Sequence, residues 1–330
     1  MTKRRWWVLQ LLISAAVLGI IFTKIPLSDV VQAMASAHLG FVALGLAASL
    51  VIIVLDAIQM KLLTDRQEMS LMLWQIIEVN MTTKFYGLFL PGHLSAGMVR
   101  WYRLAKAEQK WTEILAAIVF NRFISTSILV VLGLVCWSLD RPTGTGFTVG
   151  LILLAILAGL LLIHVALSSE RLAVGSWGRL NVLPSRWVPD PVREKVGRFV
   201  STTVERYQML QGAVTRLALL ALAGHLLGIM MFMCVAIALR IDLSFVQVGW
   251  IRCVVGILVM LPISFSGLGV REVTLVLLLS PYGVPQSDAL ALSFLLFACA
   301  MLLRALGGLV EIKYVLSPAR RATPPPSPRD

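Results

Sequence analysis

Phe89-Leu-Pro-Gly-His-Leu-Ser-Ala-Gly-Met-Val-Arg100 and Leu261-Pro-Ile-Ser-Phe-Ser-Gly-Leu-Gly-Val-Arg-Glu272 each interrupt an apolar segment with Pro, Gly and Ser and then present an arginine. In hydrocarbon the backbone N–H and C=O groups find no water, so irregular backbone at membrane depth persists only where it is buried in protein or lines a wet cavity. Paired interruptions in the two halves of a chain are the pattern of a transporter's substrate path. The expected helix breaks are Pro91, Gly92, Gly97 and Pro262.

Outward from these stretches the chain reads as a polytopic membrane protein. Of its 330 residues 58% are hydrophobic and 14% charged, where soluble domains carry about a quarter charged residues. The net charge of +12 is spread around apolar segments and comes with no nucleic-acid motif, so nucleic acid is excluded as a partner and the bases are assigned to topology and to anionic headgroups. The four cysteines, Cys136, Cys234, Cys253 and Cys299, stand alone in apolar runs, which suits small packing residues rather than metal ligands or disulfides. No metal and no cofactor is expected.

Six segments are apolar over about 20 residues, the length that crosses a bilayer as a helix: Trp6 to Phe22, Leu39 to Leu63, Ile114 to Leu139, Phe147 to Leu167, Val214 to Leu239 and Ala289 to Leu316. The first resembles a signal peptide but lacks a small-residue cleavage site, so it is retained as a span. Basic residues at Lys3, Arg4 and Arg5, through the 168–212 connection, and at Arg320 and Arg321 place both termini and that connection in the cytoplasm.

Arg100, Arg103, Lys106 and Lys110 place the segment after Pro91 inside as well, so Leu73 to Leu90 enters from the cytoplasm and returns. Val246 to Leu261 and Val270 to Leu279 do the same from outside. The expected fold is therefore all-α, with six full spans plus two re-entrant hairpins arranged as inverted repeats, and eight full spans as the alternative. One membrane domain covers 1–316, with repeat halves of about 1–139 and 147–316. Interfacial amphipathic helices lie within 168–212, and a disordered cytoplasmic tail follows at 317–330.

Ionisable groups inside a membrane are costly and mark function by default. A half-helix that resumes after a Ser/Gly turn offers free backbone N–H groups and the positive end of its dipole, and arginine's planar fork donates two bonds to a phosphate at once. Arg100, Arg122, Ser264, Ser266, Gly267, Gly269, Arg271 and Glu272 are accordingly the expected binding residues, and a phospholipid headgroup the ligand they suit. Arg122 needs an anionic partner, for which Glu78, Glu272 and a lipid phosphate are the candidates. The alternative for Arg271 and Glu272 is that they pair with each other, or with Arg122, to hold the fold. Arg304 reads as an anchor, Asp56 as less specific, and His225 as a hydrogen-bonded core histidine. There is no P-loop, nucleophile elbow or zinc-binding His pair, so no catalytic residue is assigned and an enzyme is not expected.

These residues resemble a known family. Leu261 to Glu272, with Leu275 to Leu279 and Ala289 to Gly308, is similar to the C-terminal signature of the lysylphosphatidylglycerol synthase transmembrane family, the flippase-like domain proteins. Phe89-Leu-Pro-Gly with Val99-Arg100 and Tyr102-Arg-Leu104 resembles its N-terminal signature, and Phe120-Asn-Arg122 its arginine motif. Ser95, Ala96 and Gly97 stand where the family usually shows Gly-Gly and an acid, and Asn121 replaces a common aspartate. In the name-giving synthases a soluble aminoacyl-transferase domain follows the membrane part. None follows Leu316 here, so aminoacyl transfer is not expected. The expectation is a bacterial plasma (inner) membrane translocase for an anionic phospholipid or lipid-linked intermediate. The alternative is a non-transporting accessory subunit that partners a lipid-modifying or glycosyl-transferring enzyme.

Overall fold

Long apolar runs, bounded by charged or turn-forming residues, become helices that are themselves the membrane layer. The computed structural model describes residues 14, 19, 21–23, 25–88, 93–142, 145–168, 190–260 and 267–316. In chain order the helices are α1 (Leu27–Ala35), α2 (Leu39–Asp65), α3 (Leu73–Tyr86), α4 (His93–Glu108), α5 (Trp111–Asp140), α6 (Thr145–Ser168), α7 (Asp190–Met209), α8 (Val214–Ala238), α9 (Phe245–Met260), α10 (Val270–Leu279) and α11 (Gln286–Leu316). Short 3₁₀ turns, Gln211–Ala213 and Ser280–Tyr282, lead into α8 and out of α10. The described residues contain no strand.

Five helical stretches are long and apolar enough to cross a membrane: Leu39–Asp65, Trp111–Asp140, Phe147–Val165, Ser201–Ala238 and Gln286–Ile312. They coincide with five of the six expected spans. Most of the remaining one, Trp6 to Phe22, lies outside the described residues, as do much of the 168–212 connection and the whole 317–330 tail. Of that connection, α7 is a helix as expected. It docks on α5 and α6, where Tyr207 is buried edge-on to Phe120 with ring centroids 4.8 Å apart.

Both expected interruptions fall between helices too short to span about 30 Å of hydrocarbon. α3 has 14 residues, α9 has 16 and α10 has 10. At 1.5 Å per residue these measure roughly 21, 24 and 15 Å. In the first interruption the expected break at Gly97 is corrected: α4 begins at His93, and Gly97 lies inside it. A Cβ there would meet nothing within 4 Å, and helix propensity alone is too weak to stop a helix that packing supports. Arg100 is thus two turns into α4, not at its first turn. In the second interruption Gly267 (φ 81°) and Gly269 (φ 87°) take backbone angles that side chains disfavour. A Cβ on Gly267 would also come within 2.8 Å of Val259. Pro91, Gly92, Pro262, Ser264 and Ser266 lie outside the described residues.

Packing between the halves is reciprocal. α2 packs on α8, α3 packs on α11, and α9 packs on α5. With lipid outside, close approach of small residues drives such contacts. Gly133 of α5 receives Cys253 of α9, while Gly249 of α9 receives Cys136 of α5. Gly307 and Gly308 let α11 lie against the backbone of Met81 and the ring of Phe85. All four cysteines are free and buried. By contrast α6 carries an exposed row of Leu151, Ile152, Leu154, Leu161, Leu162 and Ile163, the composition of a face turned to lipid.

Candidate functional site

Four helices converge on Asp56, in the C-terminal half of α2. Its Oδ2 accepts from Asn80 Nδ2 of α3 at 3.0 Å and pairs with Arg100 Nη1 of α4 at 3.2 Å, while Oδ1 accepts from Asn121 Nδ2 of α5 at 3.4 Å. Lys84 and Arg122 lie within the field of the same carboxylate, and Lys84 also senses Arg304. The described charges here are four cations against one acid. Sequence reasoning named this carboxylate only as less specific, because its partners Asn80 and Asn121 are 24 and 65 residues away from it. A lone acid in an apolar run was the available signal.

Arg100 is incompletely satisfied. Its side chain is 15% exposed, and Nε and Nη2 are buried without a hydrogen-bond partner. Oδ1 of Asn80 and Oδ1 of Asn121 are unpartnered as well. A buried donor without a partner costs about 1–3 kcal/mol, which makes two on one guanidinium a place for a ligand with acceptor oxygens. Arg122 is exposed although it sits eleven residues beyond Trp111, about 16 Å along α5. None of its anticipated protein partners is in place. Glu78 accepts from Trp74 Nε1 at 2.8 Å, Glu272 is engaged elsewhere, and the acid facing Arg122 is Asp56.

At the second interruption Glu272 is fully buried. Its Oε2 accepts the Gly269 N–H at 2.6 Å, closing the first turn of α10, and its Oε1 accepts from Arg271 Nη2 at 2.6 Å and from the Ser293 hydroxyl at 2.8 Å. Arg271 Nε donates to Ser293 Oγ at 2.8 Å, and the guanidinium lies 4.9 Å from the Phe297 ring centre. Arg271 and Glu272 therefore pair with each other. Arg304 connects the two regions electrostatically, since it acts on Lys84 and is acted on by Arg271. His225 is a bonded histidine: its Nε2 lies 2.8 Å from the Ser125 carbonyl oxygen.

Each region also has a tie near the helix ends. Glu311 Oε1 of α11 accepts from Arg103 Nη2 of α4 at 2.5 Å and from the Tyr86 hydroxyl at 3.0 Å. At the far end of α5, Asp140 Oδ2 accepts from Trp250 Nε1 of α9 at 2.9 Å and from the Tyr282 hydroxyl. Burial and this acid together raise the Tyr282 hydroxyl above the ordinary phenol range. No group of three or more metal-ligating side chains occurs among the described residues.

Apolar spanning helices, short interrupted arms and an excess of cations over acids among those helices define a multi-pass helical membrane protein that meets lipid. The family model for the lysylphosphatidylglycerol synthase TM region matches residues 7–308, and the chain belongs to that family. Comparisons with curated proteins and with solved structures return no match.

Proposed function

We propose that this protein is a lipid translocase, moving an anionic phospholipid or a lipid-linked intermediate by its phosphate across the bacterial plasma membrane. The observation that carries the proposal is Arg100, which keeps two buried donors unpartnered beside one shared carboxylate. A phosphodiester brings the missing acceptors and a negative charge, and its acyl chains remain in the lipid that α6 faces. Arg122 and Lys84 hold the phosphate from the exposed side. Arg271, braced by Glu272 and Ser293, receives it at the second interruption. The protein moves its ligand without chemical change, so no catalytic residue is assigned.

Two further observations support the setting. The interrupted arms are each shorter than the hydrocarbon layer, which favours re-entrant hairpins over eight full spans. The exchange of packing, α3 on α11 and α9 on α5 with α2 against α8 between them, is what two inverted repeats produce. Such halves can expose one site alternately to each side.

The test is exchange of a fluorescent phosphatidylglycerol between leaflets of reconstituted vesicles, read by quenching from outside. Arg100→Gln is expected to slow exchange at least about tenfold, about 1.4 kcal/mol on the barrier, with unchanged elution as a monodisperse species. Exchange at the parental rate refutes the proposal.

A further inference from the structure

Arg252 lies in the middle of α9, seven residues beyond Phe245 and about 10 Å into that apolar helix. None of the roles above uses it. It has no salt bridge and no hydrogen bond to any described residue, and no described carboxylate acts on it. A guanidinium at membrane depth normally pairs with an acid, with backbone carbonyls or with water. This one has no described acid to pair with.

Its seat is nevertheless built. Gly228 of α8 faces it, and a Cβ on Gly228 would fall inside the guanidinium, 2.8 Å from Nε and closer still to Cζ and Nη2. Only the absence of a side chain at that buried position leaves room for the group. His225 lies one turn before Gly228 and feels both Arg252 and Arg122. Its Nε2 bonds to the Ser125 carbonyl, with the Ser125 hydroxyl 3.3 Å away. Ser125 in turn is one turn past Arg122 on α5.

The order of these contacts sets the spacing. α8 and α5 run side by side in the same direction, because each is antiparallel to α2: His38, at the start of α2, donates to the Ala238 carbonyl at the end of α8, while Gln67, just past the end of α2, donates to the Glu113 carbonyl at the start of α5. Gly228 is three residues past His225, which is level with Ser125. The Arg252 guanidinium therefore stands on the order of 10 Å further along the bundle than Arg122.

We infer that Arg252, seated over Gly228 and linked to Arg122 through His225 and Ser125, is a second binding station for the phosphate of an anionic lipid. The inference rests on the reading of the Asp56–Arg100 region as a phosphate holder, and it adds a separate site that a headgroup occupies after leaving the first. Arginine's fork supplies two parallel donors to one phosphate, and no described carboxylate competes for them.

Native mass spectrometry of the purified full-length protein in detergent, titrated with phosphatidylglycerol, tests the station without requiring transport. The parent is expected to bind two phosphatidylglycerol molecules and to ignore phosphatidylcholine at the same concentration. Arg252→Gln removes the charge, and Gly228→Ala keeps it but denies the guanidinium its seat. Each is expected to bind one lipid, Arg100→Gln to bind one, and Arg100→Gln with Arg252→Gln to bind none. Retention of two lipids by either Arg252→Gln or Gly228→Ala, at affinities within about twofold of the parent, overturns the station. Equal binding of glycerol 3-phosphate overturns the assignment to a lipid. Two lipids on Arg100→Gln with one on Arg252→Gln sustains the station and overturns the reading of the first site instead.

Discussion

Glu272→Gln isolates what holds the second interruption in shape. The substitution keeps the volume and removes the charge from a side chain with no exposed surface. In the native arrangement both carboxylate oxygens accept: one takes the Gly269 N–H, the other takes Arg271 and Ser293, with all three bonds between 2.6 and 2.8 Å. An amide has one acceptor oxygen and one NH₂. Whichever way it turns, a donor faces a donor, either at Gly269 or at the Arg271–Ser293 pair. Hydrogen bonds to charged groups are worth about 1.5–3 kcal/mol, and stranding one member of a buried ion pair costs about 3–5 kcal/mol. The expected loss is about 3 kcal/mol. It is measured by reversible unfolding in mixed micelles with increasing denaturing detergent, with Arg271→Met and the double variant completing a cycle. The pair predicts a coupling above about 1 kcal/mol. A loss below about 1 kcal/mol in Glu272→Gln, or additivity in the cycle, refutes the claim that Glu272 organises this turn.

Asp56→Asn removes the described carboxylate that faces Arg100, Lys84 and Arg122, and is expected to tighten phosphatidylglycerol binding about tenfold, about 1.4 kcal/mol, as measured by titration in detergent. Gly307→Ala sets a Cβ against the Met81 backbone, 2.9 Å from its carbonyl carbon and closer to the oxygen; neither backbone can yield locally, so a loss of about 1–3 kcal/mol is expected in the same unfolding assay. For Tyr282 the folded protein favours the protonated phenol. Its contribution is complete below the unfolded value of about 10 and is lost as pH rises beyond that toward the raised folded value, and Tyr282→Phe abolishes this alkaline loss in unfolding measured across pH.

Much of the candidate site was legible as individual residues and little of it as a constellation. Arg100, Arg122, Arg271 and Glu272 stand out because charge in an apolar run is conspicuous in one dimension. Glu272 could be read as a partner of Arg271 because the two are adjacent in sequence. Asp56, Lys84 and Arg252 stood in the same kind of surroundings and drew less notice, since no local motif accompanies them. Arg252 in particular is intelligible only with Gly228, 24 positions earlier on another helix. The Gly97 break failed for the opposite reason: a flexible residue permits a bend, and packing of α4 against α3 and α5 decided against one.

By itself the sequence determined that this is an all-helical membrane protein and where its long apolar helices lie, because lipid imposes a local rule: each span must be apolar along its length and must satisfy its own backbone. Only the tertiary structure decided which charges meet. Helix packing brings Asp56 to Asn80, Arg100 and Asn121, and sets Arg252 over a glycine. Those encounters depend on the rotation and depth of separate helices, which are set by close packing of small residues and leave no periodic trace along the chain.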